Sequence, residues 1–321
     1  MAAHSDRWLR PALRLQALAA GLALAVCSAL AALGLHFDLG LQVGVLLTGI
    51  VLVGFPHGAF DHLVARPMLA PRLGRLWWAP FGLAYLGLAG IVWLAWVIAP
   101  LPTLVLFLAG SVLHFGLGDT EDGFVPSAVP RWVAVLAYGA VPILLPVAFH
   151  SVDAAPVLAA IGGVAAPAMT AALSRSIWLV PVWATVLAWV WHGAWPQRAG
   201  AIITAISAAS FVLLPPLMAF GLYFGLVHSP RHLLRLGAWH DPYDPRRAAR
   251  WAACVVVPAS LVCTLGIVGL AWTMHDALTG MLVPTFRMIG ALTLPHMLVT
   301  TWLNADQNQG SGDAVTLAES R

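Results

Sequence analysis

The chain is built from continuous apolar runs of about twenty residues. That is the length a helix needs to cross a bilayer's hydrocarbon core at about 1.5 Å per residue. The runs do not alternate apolar with polar residues, which argues against a transmembrane β-barrel. Composition agrees: of 321 residues 60% are hydrophobic and only 9% charged, whereas soluble domains carry roughly 25% charged residues. Water cannot be the solvent around most of such a surface. A soluble globular enzyme, a disordered chain and a disulfide-rich secreted domain are excluded. The expected fold is all-α, a polytopic transmembrane helix bundle.

Counting apolar runs predicts about ten spans, near 15–36, 40–64, 77–99, 103–118, 132–149, 176–195, 199–214, 217–236, 251–273 and 281–303. The last shortens to 288–303 if Arg287 sits at the interface. The stretch 151–174, rich in Ala, Gly and Pro, reads as interfacial or re-entrant. The formal net charge is +3, and all sixteen basic residues are Arg. They cluster in alternate loops: Arg7, Arg10 and Arg14 before the first span, Arg66, Arg72 and Arg75 after the second, and Arg235, Arg246, Arg247 and Arg250 after the eighth. Arg131 and Arg198 follow the fourth and sixth, and the opposite loops hold only Arg175. The positive-inside rule then places both termini in the cytoplasm, consistent with an even count and a multi-pass protein of the cell (inner) membrane.

The expected division is an N-terminal extension with the first transmembrane helix over 1–36, a transmembrane catalytic bundle over 37–303 and a polar disordered tail over 304–321. The run Leu18–Leu35 after an Arg-bearing start also fits a signal peptide, but its length favours a retained span. Cys27, Cys254 and Cys263 lie inside apolar runs without metal-finger spacing, so buried inert thiols are expected. Trp77, Trp78, Trp93 and Trp96 read as interfacial belts.

Ionisable groups inside a membrane are costly to bury, so those retained are functional candidates. Four polar clusters interrupt the apolar runs: Phe55-Pro56-His57-Gly58-Ala59-Phe60-Asp61-His62, His114-Phe115-Gly116-Leu117-Gly118-Asp119, His228-Ser229-Pro230-Arg231-His232, and Pro295-His296-Met297. Each lies in the C-terminal half of a span running towards the cytoplasm. They are therefore expected at one depth, the arrangement a metal site between helices requires. His228 and His232 stand four apart, one helical turn, so both can reach one ion. Pro230 between them kinks the helix or restarts it. Asp61 and Asp119 are expected either to orient metal-bound imidazoles or to pair with Arg66 or Arg231. His62 and His296 fit supporting positions around the metal better than ligation. Phe55, Phe60, Phe115, Tyr223 and Phe224 flank the clusters and are expected to wall an apolar pocket for a lipid-soluble molecule. Imidazole suits iron, zinc, copper and nickel, and residue types alone do not choose among them.

These four motifs, in this order and spacing, resemble the Brp/Blh family of bacterial and archaeal membrane β-carotene 15,15′-dioxygenases. The resemblance spans roughly residues 40–303. It implies a non-haem Fe(II) enzyme that cleaves the central double bond of β-carotene with O2, giving two all-trans-retinals. Carried over by motif, the ligands and catalytic residues would be His57, His114, His228 and His232. The usual Leu of the first motif is replaced here by Phe60, which bears on pocket width. The first span lies outside the family core. A retinal-accepting rhodopsin is the partner that the resemblance suggests beyond substrate and membrane lipid. Three other readings compete. A transporter of metal ions or protons would use the same His and Asp residues but needs polar groups at several depths. A di-iron desaturase needs paired His-His boxes, which this chain lacks. A haem carrier needs His pairs facing across a bundle.

Overall fold

In the computed structural model every regular element among the described residues is a helix. The structure describes residues 2–120, 130–163, 166–175, 180, 183, 195–273 and 277–319, and no strand occurs among them. The elements are α1 (Ala2–Ala32), α2 (Leu39–Gly49), α3 (Phe55–Gly58), α4 (Asp61–Leu73), α5 (Trp78–Ile98), α6 (Pro100–Asp119), α7 (Arg131–Phe149) and α8 (Ser151–Gly162). They continue with α9 (Ala166–Ser174), α10 (Trp195–Leu213), α11 (Pro216–Leu222), α12 (Ser229–His240), α13 (Pro245–Thr273) and α14 (Val283–Glu319). Three π-helical turns splice these together: Ile50–Gly54 joins α2 to α3, Tyr223–His228 joins α11 to α12, and Ala277–Leu282 leads into α14.

Seven described helices are long and apolar enough to cross a membrane. The expected eighth span is helical without a break from Pro216 to His240, but its polar cluster makes it less apolar. Of the expected seventh, Gly200–Leu213 is a shorter apolar helix. The expected sixth, 176–195, lies almost wholly outside the described residues. The 151–174 stretch forms the two short helices α8 and α9. Arg287 does not end the last span: the apolar segment runs from Gly280 to Trp302. The guanidinium donates to the Ile161 carbonyl at 3.2 Å, at the C-terminal end of α8, where the helix dipole favours a cation.

Helix α7 forms much of the centre, with 61% of its apolar window buried. It crosses α6 closely. A Cβ at Gly116 would overlap the Val135 carbonyl, and one at Gly139 the Val112 carbonyl, so only glycine permits this approach. By contrast α13 has no fully buried residue in its apolar window. Two expectations change for the same reason. Cys254 is exposed and Cys27 and Cys263 are half-buried, because an apolar run in a membrane protein marks contact with lipid as readily as with protein. Trp96 is not a belt residue: it is only 1% exposed, packed on Phe107 with ring centroids 5.9 Å apart.

Helix α1 is knitted into the bundle. Ala20, Leu24 and Ser28 are buried, and the Ser28 and Ser210 hydroxyls are 3.0 Å apart. Near its start, the Trp8 indole donates to the Pro242 carbonyl at 3.2 Å. That carbonyl belongs to the turn before α13, where the Asp241 carboxylate accepts the backbone N–H groups of Tyr243 and Asp244. Those two bonds hold the Asp241 carboxyl below the usual range.

Candidate metal centre

Proline and π-turns together place the histidines. Pro56 has no N–H to give the Leu52 carbonyl, and the helix carries a π-turn just before it. The carbonyl instead accepts from Ser260 Oγ on α13 at 3.1 Å. His57 follows, 7% exposed. Pro230 repeats the device. His228 closes the π-turn, which passes directly into α12 at Ser229, with Pro230 in its first turn. The Leu226 carbonyl, which Pro230 cannot serve, accepts from the Gln16 side chain of α1. His114 is carried by the last turns of α6, two residues before the glycine that lets α7 approach.

The result is one cluster. Ligand atoms of His57, His114 and His228 all lie within 4.8 Å of one another. The Nε2 atoms of His114 and His228 are 3.2 Å apart. The His57 ring is central: its centroid lies 6.5 Å from that of His114, 5.9 Å from His228, 5.5 Å from His232 and 5.0 Å from His296. Two imidazoles holding one ion through nitrogens at about 2.1 Å have centroids roughly 4.5–6.5 Å apart. The cluster has that spacing without rearrangement. Moreover, His57 Nδ1 and His296 Nε2 are buried without a hydrogen-bond partner, a cost that an ion could relieve at a nitrogen facing it. The residues present fit a divalent transition metal with nitrogen preference.

The two carboxylates take different partners. Asp61 meets His296, with Nδ1 at 2.8 Å from Oδ1 and 3.0 Å from Oδ2, and accepts the Tyr85 hydroxyl at 2.7 Å. Among the described contacts it pairs with neither His57 nor Arg66. Asp119 accepts from Arg231 at 3.2 Å and from the Tyr223 hydroxyl at 2.7 Å. His62 is exposed and sits 2.8 Å from the Ala59 carbonyl. His150, remote from the cluster, donates through Nε2 to the Val212 carbonyl at 2.9 Å; His192 lies outside the described residues.

A cavity of about 750 Å³ opens from the cluster, in the usual range for a ligand site. His57, His114 and His296 of the cluster line it, as does His62 at its exposed edge, whereas His228 and His232 do not. Phe55, Phe115 and Phe224 form part of its wall. Phe60 does not: it is fully buried behind the site, packed on Trp251 at 4.9 Å. Tyr223 is likewise absent from the wall, its ring 5.6 Å from Phe115 and its hydroxyl held by Asp119. Sequence reading missed Tyr85, Ser111 and Thr293 on the cavity wall. An isolated Tyr, Ser or Thr in an apolar run carries little signal.

Residues 48–304 match the family model for β-carotene 15,15′-dioxygenase. The chain belongs to the β-carotene 15,15′-dioxygenase family. Its relatives include a protein of Halobacterium salinarum described as probable β-carotene 15,15′-dioxygenase Blh, 29% identical over 93% of this chain and 93% of its own. The β-carotene 15,15′-dioxygenase of an uncultured marine bacterium is 25% identical over 79% of this chain and 91% of its own. A second Halobacterium salinarum protein, described as probable β-carotene 15,15′-dioxygenase Brp, is 26% identical over 84% of this chain and 86% of its own. No solved structure matches the chain. The motifs around His57, His114, His228 and His296 all fall inside the matched residues.

Proposed function

We propose that the chain cleaves the central 15,15′ double bond of β-carotene with O2, giving two all-trans-retinals. The observation that carries this is the histidine cluster on the wall of a large apolar cavity, in a chain of this family. An ordinary hydrolytic site would be wetter. A polyene dissolved in lipid enters such a cavity without crossing water, and the closest polar groups it meets are the imidazoles.

His57, His114, His228 and His232 hold Fe(II) in this reading. The bound iron supplies the activation of O2, while the protein excludes water and fixes the polyene. Phe55, Phe115 and Phe224 grip the conjugated chain beside the cluster. Asp119, tied to Arg231 and Tyr223, anchors the end of α6 to the start of α12 and so holds His114 at a set distance from His228 and His232. Asp61 and His296 support the opposite side, and His62 stands at the exposed edge. The membrane arrangement proposed is ten spans with both termini cytoplasmic, in the inner membrane. Residues 1–36, 37–303 and 304–321 form the extension, catalytic bundle and tail. A retinal-binding rhodopsin is the natural acceptor for the product.

The transporter reading needs polar groups continuing along a path, whereas the cavity leading from the cluster is walled mainly by residues such as Ile143, Val147, Leu158 and Phe286. The test is expression in a bacterial host that accumulates β-carotene, with pigments separated by chromatography. Retinal is expected with the unaltered chain and not with His57→Ala or His232→Ala at equal membrane insertion. Intact β-carotene with the unaltered, inserted chain would overturn the reading.

A further inference from the structure

His296 packs against the cluster, next to the three histidines whose ligand atoms converge. Its ring centroid lies 5.0 Å from His57, 5.3 Å from His114 and 5.5 Å from His232, within the spacing of imidazoles that share an ion. It is 5% exposed and lines the cavity with His57 and His114. Its two nitrogens are in opposite conditions. Nδ1 sits against both Asp61 oxygens at 2.8 and 3.0 Å, whereas Nε2 is buried with no hydrogen-bond partner. Asp61 is fixed in turn by the Tyr85 hydroxyl at 2.7 Å.

We propose that His296 is a metal ligand through Nε2, with Asp61 and Tyr85 as its positioning residues. This rests on the metal reading of the cluster made above, and adds a donor from α14 to those carried by the other motifs. A carboxylate accepting the Nδ1–H fixes the neutral tautomer, leaves the Nε2 lone pair free and makes the ring a better donor. Pairing with Asp61 alone would explain Nδ1 and leave Nε2 stranded in the bundle. Ligation accounts for both atoms, and for the otherwise unpromising burial of a carboxylate on α4 beside a phenol from α5. The position also ties the site to the cavity. Of the imidazoles gathered here, His57, His114 and His296 are those that reach the cavity, so His296 borders the face where a substrate approaches.

The test uses the full-length chain in detergent, stripped with chelator and titrated anaerobically with Co(II). Affinity and the cobalt visible spectrum are read, neither of which depends on carotene cleavage. His296→Leu removes both roles. His296→Gln can still donate an N–H to Asp61 but is a poor ligand, and it preserves the fold if pairing matters. Both variants are expected to lose Co(II) affinity about tenfold or more and to alter the cobalt spectrum. Asp61→Asn is expected to weaken binding while keeping the unaltered chain's spectrum. Added imidazole should restore part of the affinity to His296→Gly. His296→Gln binding Co(II) with unaltered affinity and spectrum would overturn the proposal, as would absence of Co(II) binding by the unaltered chain. Failure of the cleavage reading shows instead as uncleaved β-carotene in cells, whatever the cobalt titration gives.

Discussion

Arg231 and Asp119 form an ion pair whose side chains are 5% and 9% exposed, at 3.2 Å. Removing one partner of a buried pair strands the other charge, which costs about 3–5 kcal/mol, whereas replacing both with apolar groups is often neutral. Arg231→Met is therefore expected to lower stability by about that amount, and Asp119→Leu with Arg231→Met to recover much of it. Thermal unfolding in detergent checks the pair of outcomes; equal losses in the single and double variants would show that the ion pair is not the source. At this scale residue types are legible in the sequence, but not all of their partners. His57 and Asp61 stand four apart, which within one helix would put both on one face. They do not share a face because α3 ends at Gly58 and α4 begins at Asp61, so the two residues belong to different helices. The actual partner, His296, lies 235 positions away, beyond the reach of any local periodicity. Phe60 was misplaced by the same break, which turns its ring away from the cavity and into the packing between α4 and α13.

At the scale of elements, the interrupted helices are what make the site. Tyr223–His228 is π-helical and passes directly into α12 with Pro230 in its first turn, so the helix neither stops nor restarts at the proline: a π-turn absorbs it. The sequence shows the proline but not the π-turn, because an extra residue in one turn leaves no mark on composition. It shows still less of what completes the turn. Gln16 reaches the Leu226 carbonyl from α1, 210 positions away. This contact makes α1 a support for the His228–His232 segment rather than a detachable anchor. Gln16→Leu removes the donor to the Leu226 carbonyl, an exposed hydrogen bond worth about 0.5–1.5 kcal/mol. The expected outcome is a lower unfolding temperature together with weaker metal retention through dialysis. A lower unfolding temperature with metal retention unchanged would mean that α1 stabilises the bundle without shaping the site.

For the whole molecule, apolar length specified the class of fold, and α1, α5, α6, α7 and α13 appear near the predicted positions. What length could not specify is which helices face lipid. The apolar stretch of α13 lies at the periphery and α7 at the centre because side-chain volume and glycine placement, not hydropathy, decide who packs inside a membrane. The crossing count follows from a related ambiguity. Seven segments satisfy length and apolarity, and seven crossings would put the termini on opposite sides. Pro216–His240 is long enough to cross but carries His228, Arg231 and His232 of the histidine cluster, which lower its hydropathy. Together with α10 and the 176–195 run, it raises the expected count to ten and returns both termini to one side. By the positive-inside rule the Arg-bearing loops lead us to expect the cytoplasm on that side. Reporter fusions at Met1 and Arg321, one enzyme active only inside the cytoplasm and one only outside it, separate the alternatives. Both termini are expected to give the cytoplasmic signal. Opposite signals would require an odd count, and would mean that one of the three less apolar segments folds back instead of crossing.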